Sequence, residues 1–305
     1  MDTMMEPIKL GVSAINWANE DVLSLGDHYS GDTILSEMAS LGYTGTEMSR
    51  KFPQEVPQLK SFLSDKRMEL ASQWKGVLFS DHTRHSEELK SFTDHVFFLK
   101  EMGCQTVVTC DIGGSTIGDP RREPGENTVL TWSDQEWESM MTGLEKAGQI
   151  CRKHGLYLVY HHHMGTNVET RDQIDRLMAG TDPELVHLLF DSGHAYYAGA
   201  DPLSLLKAYK GRVKHVHLKD IRKQVLDKVR KDGMDFKTSV LENVFTVPGD
   251  GIISFKPILE EFHGMGYNGW MIVEAEQNPD EKNPYAHAKT AKQYLDCIWN
   301  EILAK

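Results

Sequence analysis

Long apolar runs are missing from this 305-residue chain. None approaches the ~20 residues that a membrane-spanning helix needs, so no membrane partner is expected. The opening stretch, Met1–Leu10, lacks the apolar centre of a secretion signal. Cysteine is scarce: Cys104, Cys110, Cys151 and Cys297 form no CxxC pair and no spaced zinc set. They read as reduced thiols of a cytoplasmic protein. Positive charge is in deficit, with 33 Lys and Arg against 45 Asp and Glu and a formal charge of −12. That balance argues against nucleic acid as a partner. Linkers of low complexity, composition breaks and internal repeats are also lacking. Residues 1–305 therefore read as one domain.

What is present is a soluble globular balance, 40% hydrophobic and 26% charged. Short apolar runs alternate with longer amphipathic stretches. The runs are Lys9–Trp17, Gly45–Ser49, Glu69–Gly76, Thr106–Gly113, Leu156–His163, Val186–His194, Val213–Ile221 and Gly269–Glu276. Helical patterns cover Thr33–Leu41, Ser86–Met102, Asp134–His154 and Tyr285–Leu303. Such alternation predicts an α/β fold with a parallel sheet, and eight repeats are the number that closes a single (β/α)8 TIM barrel. A doubly wound open sheet is the competing architecture. It calls for a Gly-rich turn after the first strand, where this chain has Asn16-Trp17-Ala18-Asn19. One connection, residues 222–251 after the seventh run, is far longer than a usual βα loop. It reads equally as a lid over the barrel mouth or as either decoration or a homo-oligomer contact.

Four adjacent runs end in side chains that bind metals. The fifth ends in His161-His162-His163 and the sixth in Asp191-Ser-Gly-His194. The seventh carries His215, His217 and Lys219, and the eighth Glu274 and Glu276. Residues two apart on a strand share a face. His161 with His163, His215 with His217 and Lys219, and Glu274 with Glu276 therefore point to one interior. Burying these groups unpaired costs several kcal/mol. A divalent ion removes that cost, and imidazole with carboxylate suits Mn, Co, Fe or Zn.

The remaining strand ends supply candidates for substrate contact. Asn16 and Trp17 end the first run, Glu47 the second, and Gln73, Trp74 and Lys75 the third. Glu276 joins them from the eighth. Polar groups there suit hydroxyls, and a tryptophan either packs on a ring face or fills the core. Cys110 and Asp111 end the fourth run with no role assigned. Gly249 and Gly251 suit a tight turn into a helix capped by Ser254. His28, His82, His85 and His263 read as surface histidines.

These motifs resemble the xylose-isomerase-like barrel superfamily of metal-dependent sugar isomerases, epimerases and dehydratases. The chain is most similar to its inosose dehydratase (keto-myo-inositol dehydratase) family. The resemblance runs nearly end to end. It is carried by Ile15-Asn16-Trp17, YHHHMGT at Tyr160–Thr166, DSGHAYYAG at Asp191–Gly199, VHLKDIRKQVLDKVR at Val216–Arg230, VFTVPGDG at Val244–Gly251 and GWMIVEAEQNP at Gly269–Pro279. It implies Asp191, His217 and Glu274 as metal ligands, with His161 standing where the superfamily usually has Glu. The fourth ligand stays open between His161 and His163, with His161 favoured.

Loss of that glutamate removes the symmetric carboxylate pair of a ketose epimerase and fits elimination of water. The expected substrate is a small polyhydroxylated cyclic ketone, keto-myo-inositol. His163 and His194 are expected to serve as base and leaving-group acid, with neither role assigned. Lys219 either stabilises enolate charge or pairs with Asp220 or Glu276. Glu274 is counted with both the ligands and the catalytic set. The resemblance further implies Mn or Co as the ion and an association with glutathione. The competing functions are a ketose epimerase or isomerase, a barrel endonuclease disfavoured by the acidic charge, and a non-catalytic sensor of inositol derivatives.

Overall fold

A computed structural model describes residues 8–20, 22–123 and 126–304, so most of Met1–Leu10 lies outside the described residues. The strands are β1 (Lys9–Val12), β2 (Gly45–Glu47), β3 (Glu69–Ser72), β4 (Trp74–Val77), β5 (Thr106–Asp111), β6 (Tyr157–His161), β7 (Val186–Asp191), β8 (Val213–Leu218), β9 (Asp220–Ile221), β10 (Phe245–Thr246) and β11 (Trp270–Val273). A parallel sheet runs β3-β2-β1-β11-β8-β7-β6-β5-β4. Its first and last members are the halves of one expected strand, Glu69–Gly76, interrupted at Gln73. The chain through Gln73 therefore joins the two edges, and eight strands close a TIM barrel as expected.

The barrel floor is filled by the Trp270 ring. A Cβ on Gly45 would lie 2.4 Å from that ring, and one on Gly11 would lie 2.6 Å from Ile272. Gly11 pairs with Gly45, so two bare backbones make room for one indole. Val108, Val159 and Leu189 form a separate apolar cluster. The helices expected at Thr33–Leu41, Ser86–Met102, Asp134–His154 and Tyr285–Leu303 appear at Gly31–Ser40, His85–Met102, Asp134–Lys153 and Pro284–Leu303. Ser133 and Glu136 form a reciprocal capping box at the start of the third of these. Ser254 precedes its helix as expected, yet its hydroxyl caps no backbone N–H. Gly249 has φ +91, the left-handed turn expected of it.

The 222–251 connection folds into helices Lys223–Asp232 and Phe236–Leu241, followed by β10, which pairs antiparallel with β9 just before the connection. Leu226, Val229, Phe236 and Val240 are buried. Arg222 donates to the carbonyls of Asn243 and Phe245 and pairs with Asp250. A second long connection follows β5 and, among the described residues, carries no regular element until Asp134. Asp111 anchors it: the buried carboxylate accepts from the Ser80 amide and hydroxyl and from the Gly113 amide. Burial pushes the Asp111 carboxyl up to about 7 despite these bonds. Cys104, Cys110 and Cys151 are buried, and none of the four cysteines is paired. No helix among the described residues is long and apolar enough to cross a membrane.

Candidate metal centre and active site

The strand ends meet at a cavity of about 420 Å³, the size of a small-molecule site. His161, His163, His217, Glu274 and Glu276 form its deep wall. Glu47, Gln73 and Trp74 line it from the second and third strands.

Four buried atoms beside it make no hydrogen bond and meet one another only as ion pairs: His161 Nε2, Asp191 Oδ2, His217 Nδ1 and Glu274 Oε2. They belong to the four residues expected to bind metal. His161 Nε2 and His217 Nδ1 each lie 3.5 Å from Asp191 Oδ2. His217 Nδ1 lies 2.8 Å from Glu274 Oε2. Buried polar atoms without partners are rare and costly. Two imidazoles and two carboxylates form a donor set for a divalent ion of intermediate hardness, so these residues fit one.

The neighbours prepare the ligands. His217 Nε2 donates to Glu47 at 3.2 Å, and His215 Nε2 donates to the same carboxylate at 2.9 Å. With its Nε2 proton held there, His217 turns Nδ1 toward Asp191 and Glu274, the carboxylate–imidazole arrangement that orients metal ligands. Burial disfavours charge on His217, but Glu274 and Glu47 outweigh it and hold the imidazolium well above its ordinary range. Burial pushes His161 down to about 4, so it is neutral near pH 7. Burial disfavours the Asp191 anion, yet Lys219 and His194 pull its carboxyl well below the usual range. Glu274 is likewise lowered against burial, by His217 and Lys219.

Beside this set lies another. His163 Nδ1 donates to the Met164 carbonyl at 2.7 Å, and its Nε2 faces Glu276 Oε1 at 3.3 Å. The His194 ring packs on His163 with centroids 3.8 Å apart and planes tilted by 42°, and His194 Nε2 lies 3.4 Å from Glu276 Oε2. Burial, His163 and Lys219 push His194 well below its ordinary value. Phe236 and Phe245, from the 222–251 connection, pack on His163 and His194 at 5.2 and 5.1 Å.

A family profile described as "Xylose isomerase-like TIM barrel" matches residues 35–296. The inosose dehydratase of Geobacillus kaustophilus (strain HTA426) is 51% identical over 304 residues, covering 100% of this chain and 99% of its own. That of Lacticaseibacillus casei is 42% identical, covering 96% of this chain and 98% of its own. The chain belongs to the inosose dehydratase family, among the xylose isomerase-like TIM barrels. Solved structures share the fold at low identity. An L-ribulose 3-epimerase superposes with TM-score 0.69 at 13% identity, covering 98% of this chain and 96% of its own. A zinc-bound IOLI protein gives TM-score 0.68 at 18% identity, covering 97% of this chain and 99% of its own.

Against this family background, several sequence expectations need correction. Trp17 does not line the cavity. It is fully buried in the core, and its Nε1 donates to Glu37 at 2.6 Å. Asn16 is also buried, and it acts on the eighth strand: its Oδ1 accepts the Ala275 amide at 2.7 Å, between Glu274 and Glu276. Glu47 does line the cavity, but its carboxylate is committed to two imidazoles. His194 is fully buried behind His163 and lines no part of the cavity. Lys219 pairs with Glu276 at 2.6 Å, while Asp220 accepts from the amides of Ile221 and Ile253. Of the histidines read as exposed, His85 is half-buried against the Phe79 carbonyl and Ser139.

Sequence reasoning missed Glu20, Ser49, Arg50, Gln54 and Ile117, all of which line the cavity. The first four follow the first and second strands, where a barrel places its functional loops. Glu20 accepts from the Ser49 hydroxyl at 2.9 Å, and Arg50 pairs with Asp27 at 2.8 Å. Ile117 comes from the connection after β5, which sequence reasoning passed over; its length and its Gly113-Gly114 start are the signals that could have found it.

Proposed function

We propose that this inosose dehydratase family member uses one divalent ion, held by His161, Asp191, His217 and Glu274, to dehydrate keto-myo-inositol by enolisation and β-elimination. The observation that carries this reading is the convergence beside the cavity of four buried ligand atoms that make no hydrogen bond and meet one another only at ion-pair distances. The ion supplies Lewis-acid polarisation of the ketone. Mn and Co suit the mixed imidazole–carboxylate set, and Zn or Fe falls within the same range.

The chain's own residues handle the proton. His163 reaches the cavity with Nε2, since Nδ1–H is committed to the Met164 carbonyl. It removes the proton next to the ketone. The Glu276 carboxylate, held ionised against burial by the Lys219 ammonium, stabilises the imidazolium that results. The same Nε2–H then donates to the β-hydroxyl, the carbon–oxygen bond breaks and water leaves. One imidazole therefore acts as base and then as acid. His194 is a positioning residue, packed against His163. Phe236, Phe245 and Ile117 restrict water around the reacting atoms.

The reading is tested by a metal-titrated assay on a panel of inososes and free ketoses, followed by the ultraviolet absorption of the dione product. Dione formation from an inosose that stops with chelator and returns with Mn or Co is expected. Turnover of ketoses without dione formation, or full activity after chelation, refutes it. The assay is run with and without glutathione, because no step above uses a thiol.

A further inference from the structure

The second cluster has the makings of another metal site. His163, His194 and Glu276 each offer a ligand atom within 4.8 Å of the others, all buried. Two imidazoles and a carboxylate are as good a partial donor set as the first. Yet the position is filled. Lys219 Nζ lies 2.9 Å from His194 Nε2 and 2.6 Å from Glu276 Oε2. It also lies 3.1 Å from Glu274 Oε2 and 3.5 Å from Asp191 Oδ2.

The fold is shaped to deliver that ammonium. Strand alternation turns Lys219 inward beyond His217, and its stem passes over Gly193. A Cβ on Gly193 would lie 2.5 Å from Lys219 Cγ and 2.8 Å from its Cδ, closer than real atoms pack. The Lys219 amide donates to Ser192 Oγ at 3.0 Å, and the Phe245 ring caps Nζ at 5.0 Å. The three carboxylates around Nζ are balanced by one ammonium and one divalent ion together. A second divalent ion would leave excess positive charge and would approach the ammonium far inside ordinary like-charge separations.

We propose that the Lys219 ammonium is a built-in second cation, which occupies the place of a second divalent ion at His163, His194 and Glu276 and restricts the active site to one exchangeable metal. This rests on the metal-dependent reading above. It also frees the His163–Glu276 pair from coordination, so that His163 keeps a basic nitrogen for proton transfer.

The test is Mn binding to the metal-free chain, read by calorimetry and by elemental analysis after dialysis, with low-temperature electron paramagnetic resonance to detect coupled ion pairs. Wild type is expected to hold one Mn per chain with an uncoupled spectrum. Lys219→Met, which keeps the stem and removes the charge, is expected to hold two and to show a coupled pair. Adding Glu276→Gln to that variant should return it to one. Zero ions in wild type refutes the metal reading itself. Two ions in wild type, or a folded Lys219→Met variant that holds only one, refutes the inference alone. Should Lys219→Met fail to fold, Gly193→Ala displaces the same stem and is expected to raise bound Mn above one per chain. No rise in a folded Gly193→Ala protein overturns the proposal equally.

Discussion

Replacing Glu47 with glutamine separates two roles that this residue could have at the cavity wall. The carboxylate accepts from His215 Nε2 at 2.9 Å and from His217 Nε2 at 3.2 Å. Glutamine keeps the Oε1 acceptor that both imidazoles use, puts an N–H donor in place of Oε2, which lies 3.2 Å from His217 Nε2, and loses the charge. A hydrogen bond to a charged group contributes about 1.5–3 kcal/mol. Loss of one such bond, at 1.4 kcal/mol per tenfold, weakens metal affinity by ~10–100-fold. The same range is typical when the group behind a metal-bound imidazole is removed. The substitution also lets His217 adopt the other tautomer, with a proton on the nitrogen that should face the ion. Calorimetric titration of Mn into metal-free wild type and Glu47→Gln at pH 7 measures the effect, with circular dichroism confirming the fold. If the dissociation constant moves by less than about twofold while KM for the substrate rises, Glu47 contacts substrate and does not orient His217.

Four further outcomes follow from the same geometry. His163→Ala should bind metal normally and lose turnover by ~100-fold or more, whereas His194→Ala should lose about tenfold; an equal or larger loss at His194 would make it the leaving-group acid. Glu274 and Glu47 hold the His217 imidazolium well above its ordinary range, while burial lowers His161 to about 4. Mn binding at pH 7 should thus expel about one proton per ion and tighten as pH rises; calorimetry in buffers of different ionisation enthalpy reads this directly, and zero proton release contradicts it. Free Mn at 100 times its dissociation constant should stabilise the fold by about 2.7 kcal/mol, seen as a rise of several degrees in Tm that chelator reverses; an unchanged Tm speaks against ion binding. Asn16→Ala leaves the buried Ala275 amide without its acceptor, which should cost about 1–3 kcal/mol in a denaturant titration and lower turnover with little change in KM.

Strand alternation carried most of the site reading, and its failures lie where its premise lapses. The alternation holds while the chain stays extended, and His161, His215, His217, Glu274 and Glu276 all point to the interior as expected. It stops at Asp191, because Ser192 opens a helix. The Asp191 carboxylate accepts the His194 amide at 2.8 Å and caps that helix. His194 is therefore carried one turn behind the strand end and away from the cavity. A 3-10 turn at Ala14–Asn16 does the same to Trp17, rotating its indole toward Glu37. The break at Gln73 depends on pairing: β3 belongs to β2 and β4 to β5, and only the closed barrel shows that the strand must change partners there. Glu47 was found by position but its contacts to His215 and His217 were not, because those partners are 168 and 170 residues away in the chain. What local sequence encodes is the direction of each side chain along its own strand. Which imidazole a carboxylate meets across the barrel is set by closure, and that governs whether a group at the mouth holds substrate, orients a ligand or takes the place of an ion.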